Sequence, residues 1–370
     1  MSAVPHVNDS GTDRRFMLRA LDLARKGWGR TSPNPMVGAL IVRDQTVVGD
    51  GAHEGYGAAH AEVVALREAG ERARGATLYV TLEPCAHHGK TPPCVDAIRA
   101  AGIARVVAAV HEPNPVAARG GDRLREAGID VTFGVCESEA RELNAPFFHA
   151  HDPARPRRPW TTLKLAISLD AAMADCNRSP GWITGQPARA EAHRLRAGSD
   201  AVGVGMGTVL ADDPLLTVRE APAPRRPPLR VIFSRHGRLP LSSRLAQTAG
   251  EGPVLLLTAS IDAAHERTLR ALGVDVAIAA SLAESLAALD ARGVQSLLVE
   301  GGAAIAGVLL AEQLADRLVL VQAPIVLGRG SLRAFDGVPG TSLAEARRLR
   351  VIRRTIMEGD LLTEFVLREL

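Results

Sequence analysis

The chain has 370 residues, of which 46% are hydrophobic and 23% charged, and its formal net charge is +3. This length predicts two domains, and the composition is that of a globular protein with enough apolar residues for two cores. Three Trp, two Tyr and seven Phe offer few surfaces on which bases could stack, which argues against a single-stranded nucleic-acid binder.

The N-terminal segment and the cysteine content favour a cytoplasmic protein. Residues 1–15 are polar and lack the apolar core of a signal peptide, and no apolar run is long enough to span a membrane. Four cysteines in a chain of this length do not make a disulfide framework. We therefore expect reduced thiols, no membrane and no nucleic acid among the partners. The oligomeric state is left open, with a homo-oligomer as one option.

The first part of the chain alternates between helical and strand patterns. Helical spacing covers residues 13–26 and stops at Gly27, and two short strands follow over residues 37–42 and 46–49. The next predicted elements are a helix from residue 61, a strand over 77–81, a helix from about residue 92, a strand over 105–110, a helix ending at 127 and a strand over 129–133. This alternation predicts a three-layer α/β domain over residues 13–148.

A proline-rich segment divides the chain. Residues 149–159 contain Pro153, Pro156 and Pro159 and show no periodicity, so we interpret them as the domain linker. Residues 161–170 then alternate strictly between apolar and polar positions, which predicts a strand with one core face. Leu169 is expected on that core face. The second domain, residues 160–370, continues as α/β.

The strongest chemical signal is a set of zinc-ligand residue types. His60 and Glu62 stand at the start of a predicted helix, Cys85 follows a predicted strand, and Cys94 lies near the start of the next helix. Three protein ligands and one open position are typical of catalytic zinc, which lowers the pKa of a bound water to about 7. A nearby carboxylate can then carry the proton. We predict His60, Cys85 and Cys94 as metal ligands and Glu62 as the catalytic proton carrier.

The local sequence around these residues supports the assignment. Thr91 followed by Pro92 is typical of a helix start, which would place Cys94 in the first turn, where the helix dipole favours a thiolate. His60 and Glu62, two residues apart, would diverge on a regular helix. We therefore expect His60 just at the start of its helix, where the backbone is not yet helical.

The residues alone leave two alternatives to catalytic zinc. One is a structural zinc site completed by His53, His87 or His88. The other is a capping histidine beside buried thiols with no metal. Deaminases that act on nucleic acid share the His-x-Glu pattern, but their two cysteines are three residues apart, whereas Cys85 and Cys94 are nine apart.

The residues between the cysteines identify a family. Residues 81–94, 31–38 and 112–115 closely resemble the bifunctional riboflavin-biosynthesis deaminase/reductases, and the similarity runs from about residue 16 to the C-terminus. The resemblance implies a cytidine-deaminase-like N-terminal domain. It also implies zinc-dependent hydrolytic deamination of a 2,5-diamino-6-ribosylamino-pyrimidinone 5′-phosphate. The substrate-binding residues that it implies in this domain are Asn34, His53, Lys90 and Asn114.

Two glycine-rich segments stand out in the second domain. Gly203, Gly205 and Gly207 alternate with other residues, and a strand over residues 297–300 leads through Gly301-Gly302 into a helix over 303–314. Neither is the Rossmann fingerprint, so each is a weak indication by itself.

Residues 207–219 and 299–302 resemble the reductase domain of the same family. The resemblance implies a dihydrofolate-reductase-like fold that uses NADPH to reduce the ribosyl group to ribityl. The substrate-binding residues that it implies are Lys164, Arg196, Leu216, Arg219 and Glu300, with Lys164 and the two arginines as a phosphate clamp. The cofactor-binding residues that it implies are Ala166, Trp182, Thr208, Asp212, Ser234 and the turn from Gly302.

The second domain also departs from the family pattern. Ala171-Ala172 stand where Gly and then Arg or Lys are usual, Pro180 replaces a serine, and Phe233 replaces a common Asp. In the first domain, Glu112 stands where Asp is usual. A deaminase whose second domain has lost reductase activity is therefore the alternative to a bifunctional enzyme.

Overall fold

The computed structural model describes residues 10–87, 92–179 and 181–369, and the chain forms two compact units. The first unit ends at Ala154, and the second runs from Arg155 to Glu369. Residues 149–151, assigned above to the linker, instead form the end of a helix that contains the apolar pair Phe147 and Phe148. The first proline of this segment is Pro153, so the helix extends further than the linker prediction allowed.

The first unit is a five-stranded sheet with helices on both faces. Its helices are α1 (Ser10–Ala24), α2 (Ala61–Ala69), α3 (Cys94–Ala100), α4 (Gly120–Glu126), α5 (Glu137–Leu143) and α6 (Ala145–His151). Its strands are β1 (Gly38–Arg43), β2 (Thr46–Ala52), β3 (Thr77–Val80), β4 (Arg105–Ala108) and β5 (Asp130–Phe133), in the order β2-β1-β3-β4-β5. β1 is antiparallel to β2 and β3, whereas β3, β4 and β5 are parallel.

Two apolar clusters cover the two faces of this sheet. One joins α2, α3 and α4 to the sheet around Ile41, Leu78 and Val106. The other joins α1, α5 and α6 to it around Leu40 and Val107. Because neighbouring residues of a strand point to opposite faces, Leu40 and Ile41 lie in different clusters. The predicted three-layer α/β arrangement is confirmed.

The second unit is built around a nine-stranded sheet. Its helices are α7 (Gln186–Ala197), α8 (Met206–Asp212), α9 (Arg244–Gln247), α10 (Ala263–Ala271), α11 (Leu282–Asp290) and α12 (Ala303–Ala311). Its strands are β6 (Trp160–Ile167), β7 (Ala172–Ala174), β8 (Ala201–Gly205), β9 (Leu229–Ser234), β10 (Val254–Thr258), β11 (Val274–Ile278), β12 (Ser296–Glu300), β13 (Arg317–Gln322), β14 (Leu332–Arg333), β15 (Arg350–Met357) and β16 (Asp360–Val366).

The order of the large sheet is β11-β10-β9-β8-β12-β6-β13-β16-β15, and β7 pairs separately with β14. All neighbours from β11 to β13 are parallel, and only the last two pairings, β13 with β16 and β16 with β15, are antiparallel. In an open parallel sheet, ligands bind outside the carboxyl ends of the strands. The ends of β6, β8, β9 and β12 are therefore the expected place for a site.

Two local predictions are wrong. The alternation of β6 ends with the strand at Ile167, so Leu169 is 54% exposed rather than in the core. The helix expected from Pro92 begins at Cys94, with Pro93 in the capping position, and Thr91 lies outside the described residues. Cys94 is still in the first turn, as expected. In the described ranges, no helix is long and apolar enough to cross a membrane.

Candidate active sites

Three metal-ligand side chains converge where α2 and α3 begin. His60 is the N-cap of α2, with an extended backbone (φ −70°, ψ 153°), and Cys94 is the first residue of α3. His60 Nδ1 lies 3.1 Å from Cys94 Sγ and 3.6 Å from Cys85 Sγ, and all three ligand atoms are within 4.8 Å of one another. Tetrahedral zinc with bonds of about 2.0–2.3 Å spaces its ligands by roughly 3.5–3.8 Å. The three atoms fit one such ion.

The histidines considered as a fourth ligand do not join this cluster within the described ranges. The ligand-forming group there consists of His60, Cys85 and Cys94 alone. His53 directs its Nδ1 to the carbonyl oxygen of Ala59 at 3.1 Å. His87 lines the neighbouring cavity, and His88 lies outside the described residues. Three ligands correspond to the open, catalytic type of zinc site.

The electrostatics of the cluster suit a metal and a proton carrier. Hydrogen bonds from Cys94 and His60 hold the pKa of the Cys85 thiol well below its ordinary value, although burial opposes them. Glu62, in the first turn of α2, is only 4% exposed. Burial raises the pKa of its carboxyl group, while the charge of His60 opposes the increase. A thiolate and a buried acid therefore lie next to each other.

A cavity of about 290 Å³ opens beside the cluster. His60, Cys85 and Glu62 line it together with three of the four residues predicted to bind substrate, Asn34, His53 and Asn114. Lys90, the fourth, lies outside the described residues. Further lining residues that the sequence did not single out as site residues are Tyr56, Leu82, Glu83 and Phe147, and His87, considered above only as a fourth zinc ligand, lines the cavity as well.

His53 and Asn114 each keep a polar group available for recognition. Because a carbonyl oxygen can only accept, Nδ1 of His53 donates to Ala59, and burial lowers the pKa of the ring. Within the described residues, its Nε2 is buried without a hydrogen-bond partner, which leaves a neutral acceptor. Asn114 Oδ1 accepts from the N–H of Val116 at 3.1 Å, so its NH₂ group can donate.

Two carboxylates, Glu83 and Glu112, hold the backbone around Asn114 in place. Glu83 accepts from the N–H of Gly121 at 2.9 Å and of Glu112 at 3.0 Å, and Glu112 accepts from the N–H of Asn114 at 2.9 Å. Burial raises the pKa of Glu112 to about 7, with smaller contributions from the charges of Glu83 and Cys85. The only feature of the sequence that could have indicated a role for Glu83 was its position just before Pro84-Cys85.

In the second unit, the buried Arg196 and the half-buried Lys164 and Glu300 form a charged group. Glu300 is in register with Lys164 on the neighbouring strand, and Arg196 contacts both carboxylate oxygens of Glu300, at 2.6 and 2.7 Å. Arg196 also donates to the carbonyl oxygen of Thr217 at 2.9 Å. Burial lowers the pKa of Lys164, and the charge of Glu300 opposes the decrease. The guanidinium of Arg196 already binds Glu300 and Thr217. Arg196 is therefore a weaker candidate for the phosphate clamp than the sequence indicated.

The other two predicted substrate residues lie on the loop after α8. Arg219 is exposed and donates to Thr217 Oγ1 at 3.0 Å. Leu216 is 1% exposed and has a φ of 55°. A buried side chain cannot reach a substrate, so any contact there is through the Leu216 backbone.

The predicted cofactor residues lie mostly along the carboxyl ends of the strands. Ala166 is on β6, Ser234 ends β9, Thr208 follows β8 and Gly302 caps α12 after β12. A Cβ on Gly302 would lie 3.0 Å from Thr208 Oγ1, so glycine keeps a space open between the two turns. The nine-residue helix α12 begins directly after Gly302, and its free N–H groups would suit a pyrophosphate.

Asp212 and Trp182 extend this set. Asp212 is the exposed last residue of α8, and partial desolvation raises the pKa of its carboxyl group. Trp182 is 74% exposed, and the Arg189 guanidinium lies 5.4 Å from the centre of its ring system. Pro180, where the sequence departs from the family, lies outside the described residues.

Comparison with known proteins gives matches to both halves of the chain. The model of the RibD C-terminal domain matches residues 159–356, and that of the cytidine and deoxycytidylate deaminase zinc-binding region matches residues 10–110. The riboflavin biosynthesis protein RibD of Aquifex aeolicus is 45% identical over 356 residues, which cover 95% of this chain and 98% of that protein. The RibD protein of Escherichia coli is 42% identical over 352 residues, covering 91% and 95% of the two chains.

Solved structures agree over nearly the full length. RibD of Acinetobacter baumannii superimposes with a TM-score of 0.83 at 36% identity, covering 97% of this chain and 99% of that one. A diaminohydroxyphosphoribosylaminopyrimidine deaminase/5-amino-6-(5-phosphoribosylamino)uracil reductase of Thermotoga maritima gives 0.82 at 35% identity, covering 96% and 99%.

Proposed function

This chain belongs to the RibD family of bifunctional riboflavin-biosynthesis enzymes, and we propose that its two sites act in sequence on one phosphorylated pyrimidine. The first site deaminates a 2,5-diamino-6-ribosylamino-pyrimidinone 5′-phosphate by hydrolysis. The second reduces the ribosyl group of the product to ribityl with NADPH. The observation that carries the proposal is the convergence of His60, Cys85 and Cys94 beside the buried Glu62.

At the first site, the donor set fits zinc. One imidazole nitrogen and two sulfur atoms are ligands that zinc prefers, and a tetrahedral ion would keep one position for water. Zinc, when bound, supplies a nucleophile at neutral pH because it lowers the pKa of a water to about 7. Glu62 takes the proton from the attacking water and delivers it to the departing amino group. Its burial keeps that proton out of bulk solvent.

The same cavity recognises the pyrimidine. The neutral Nε2 of His53 accepts a hydrogen bond from the substrate, and the NH₂ group of Asn114 donates one. Asn34 lies on the same cavity and reads an amide edge of the ring. Lys90 contributes a positive charge to the phosphate or to the ring.

At the second site, the space between Gly302 and Thr208 fits the pyrophosphate of NADPH. NADPH, when bound, supplies the hydride. Arg219 and Lys164 bind the anionic substrate, whereas Arg196 fixes the orientation of Glu300 through its bidentate contact. The Lys164–Glu300–Arg196 group favours an active reductase over a domain that has lost its activity.

A steady-state assay that follows ammonia and NADPH separately tests the proposal. Purified protein, zinc and the diamino substrate should release ammonia and then oxidise NADPH. Glu62→Gln should keep the metal, stop ammonia release and still oxidise NADPH when the deaminated substrate is supplied. The exposed Glu71 offers a matched control, and Glu71→Gln should behave as wild type. Continued ammonia release by Glu62→Gln would contradict the proton-carrier role, and ammonia without NADPH oxidation would indicate a deaminase only.

We also propose that the enzyme acts in the cytoplasm on a small molecule and without nucleic acid. Two zinc-ligand thiols must stay reduced, which is the normal condition of that compartment. A homo-oligomer would carry one pair of sites in each subunit.

A further inference from the structure

The loop that carries Arg219 is long and irregular. Residues 213–228, between α8 and β9, contain neither a helix nor a strand. A loop of this length without secondary structure is usually functional. Ordering such a loop and a long side chain costs conformational entropy when a substrate binds. The contacts that fix the loop in advance therefore influence how tightly Arg219 can bind an anion.

Helix α7 holds this loop at two points. Arg196 donates to the carbonyl oxygen of Thr217 at 2.9 Å, and Nδ1 of His193 accepts from the backbone N–H of Arg219 at 3.3 Å. His193 and Arg196 are three residues apart, so they lie on the same face of the helix. His193 is 5% exposed and Arg196 is 8% exposed. One buried face of α7 thus fixes the loop backbone at Thr217 and again at Arg219.

The helix is itself held by the sheet of the second unit. Glu191 of α7 forms an ion pair at 2.8 Å with Arg353 of β15, and Arg353 also pairs at 3.0 Å with Glu364 of β16. Ala188 and Leu195 of the helix belong to one of the apolar clusters of this unit. Helix α7 is therefore a fixed support for the loop.

The contact with Arg219 requires a neutral imidazole. A backbone N–H can only donate, so Nδ1 of His193 carries no proton and the ring proton is on Nε2. Burial lowers the pKa of His193, and the charges of Arg196 and Arg219 lower it further, whereas Glu220 and Glu300 oppose the decrease. The ring is therefore a hydrogen-bond acceptor at neutral pH.

We propose that His193 is a positioning residue of the reductase site, which holds the backbone of Arg219 so that its guanidinium is preorganised for the anionic substrate. The inference rests on the proposed reductase function and deepens it. Oγ1 of Thr217 accepts from the Arg219 guanidinium at 3.0 Å, so Arg219 is held at its backbone and at the end of its side chain. Less conformational freedom is then lost when the substrate binds. In this role His193 acts through Arg219.

An isosteric pair of variants of the full chain isolates the hydrogen bond. His193→Leu removes the acceptor, whereas His193→Asn has nearly the same size and places an amide oxygen close to the position of Nδ1. In steady-state reduction, the KM for the deaminated ribosyl substrate should rise about five- to tenfold in His193→Leu, as expected for one lost hydrogen bond. The kcat and the KM for NADPH should stay within about twofold. His193→Asn should stay close to wild type in all three.

A double-mutant cycle with Arg219→Ala separates positioning from a general structural role. Arg219→Ala should raise the KM for the substrate by itself. In that background His193→Leu should raise the KM no further, because no guanidinium remains to be positioned. If the two effects multiply instead, His193 acts independently of Arg219 and the inference is overturned.

A pH comparison provides a test even if His193→Leu does not fold. Protonation of Nδ1 removes the acceptor in wild type, whereas the amide oxygen of His193→Asn does not titrate. Between about pH 7.5 and pH 5, the KM for the substrate should therefore rise more in wild type than in His193→Asn. The phosphate of the substrate titrates equally in both measurements. An equal rise in the two proteins would contradict the inference.

The assays also distinguish this inference from the function on which it rests. If wild-type protein does not oxidise NADPH, the proposed reductase function fails together with the inference. If NADPH is oxidised but Arg219→Ala leaves the KM unchanged, Arg219 does not bind the substrate and the inference fails with that assignment. If Arg219→Ala raises the KM and a folded His193→Leu does not, only the inference fails.

Discussion

The groups of the zinc site come from one segment, residues 60–94, whereas those of the reductase site are spread over residues 164 to 302. In the first unit, two helix starts and one loop after a strand bring His60, Cys85 and Cys94 together. In the second unit, the order of the strands decides which residues meet. A site whose residues lie in one short segment can be recognised from the sequence. A site whose residues are spread along the chain depends on the strand order that brings them together. The two sites should therefore respond independently to substitution.

Removal of the metal should have the largest effect, and it should affect deamination but not reduction. Cys94→Ser weakens zinc binding, and loss of the nucleophile should reduce deamination at least about 10³-fold. Reduction of the deaminated substrate should stay near wild type. Metal content, ammonia release and NADPH oxidation check the three expectations. Cys176, which is exposed, provides the control Cys176→Ser. A parallel loss of both activities would show that the sites are not independent.

Glu300→Gln should lower the free energy of unfolding of the second unit by an amount comparable to the catalytic free energy lost in Cys94→Ser. It leaves the buried charge of Arg196 uncompensated, which costs about 3 kcal/mol when a buried pair is broken. Chemical denaturation should report a less stable reductase unit, and NADPH oxidation should fall while ammonia release persists. The exposed Glu312 offers Glu312→Gln as the control. Unchanged stability of Glu300→Gln would show that the group is not held by its charges.

Glu112 should make the stability of the metal-free first unit depend on pH. Its pKa is raised from 4.5 to about 7 in the folded state, so the folded chain binds the extra proton. Stability therefore falls as pH rises from about 4.5 to 7, by up to about 3 kcal/mol. Glu112→Gln should remove that slope. Denaturation of metal-free protein at pH 5 and pH 8 measures it, and an unchanged slope in the variant would contradict the assignment.

Gly302→Ala tests the space between the two glycine-rich turns of the second unit. The added Cβ would lie 3.0 Å from Thr208 Oγ1 and should weaken NADPH binding about tenfold, or 1.4 kcal/mol. Titration of NADPH fluorescence measures the change, with ammonia release unaffected. Gly250→Ala is the control, because a Cβ there meets no atom within 4 Å. Wild-type NADPH affinity in Gly302→Ala would argue against the pyrophosphate site.

Ala171→Gly should have the smallest effect, and it should be stabilising. Ala171 has a φ of 59°, a conformation that costs a residue with a Cβ about 1 kcal/mol. Glycine relieves that cost but loses more entropy on folding, so a net gain of about 0.5 kcal/mol is expected. Thermal unfolding of the second unit measures it. A lower melting temperature would mean that the surroundings favour the alanine.

Much of the first site could be predicted because its geometry is local. His60 had to precede the helix, since residues two apart diverge once the helix is regular, and the structure places it at the N-cap. Cys94 was expected in a first helical turn from the prolines before it, and it lies there even though the helix begins later than predicted. Backbone propensity over a few residues suffices for such inferences.

Tertiary structure decided what the remaining side chains do. The sequence contained Arg196 and Glu300, but only the alignment of β12 with β6 and the position of α7 show that they bind each other. Likewise, Glu83 and Glu112 meet because β3 and β4 are neighbours in the sheet. The exposure of Leu169 follows from where β6 ends. Contacts between residues far apart in the chain depend on strand order and burial, which no short spacing in the sequence records.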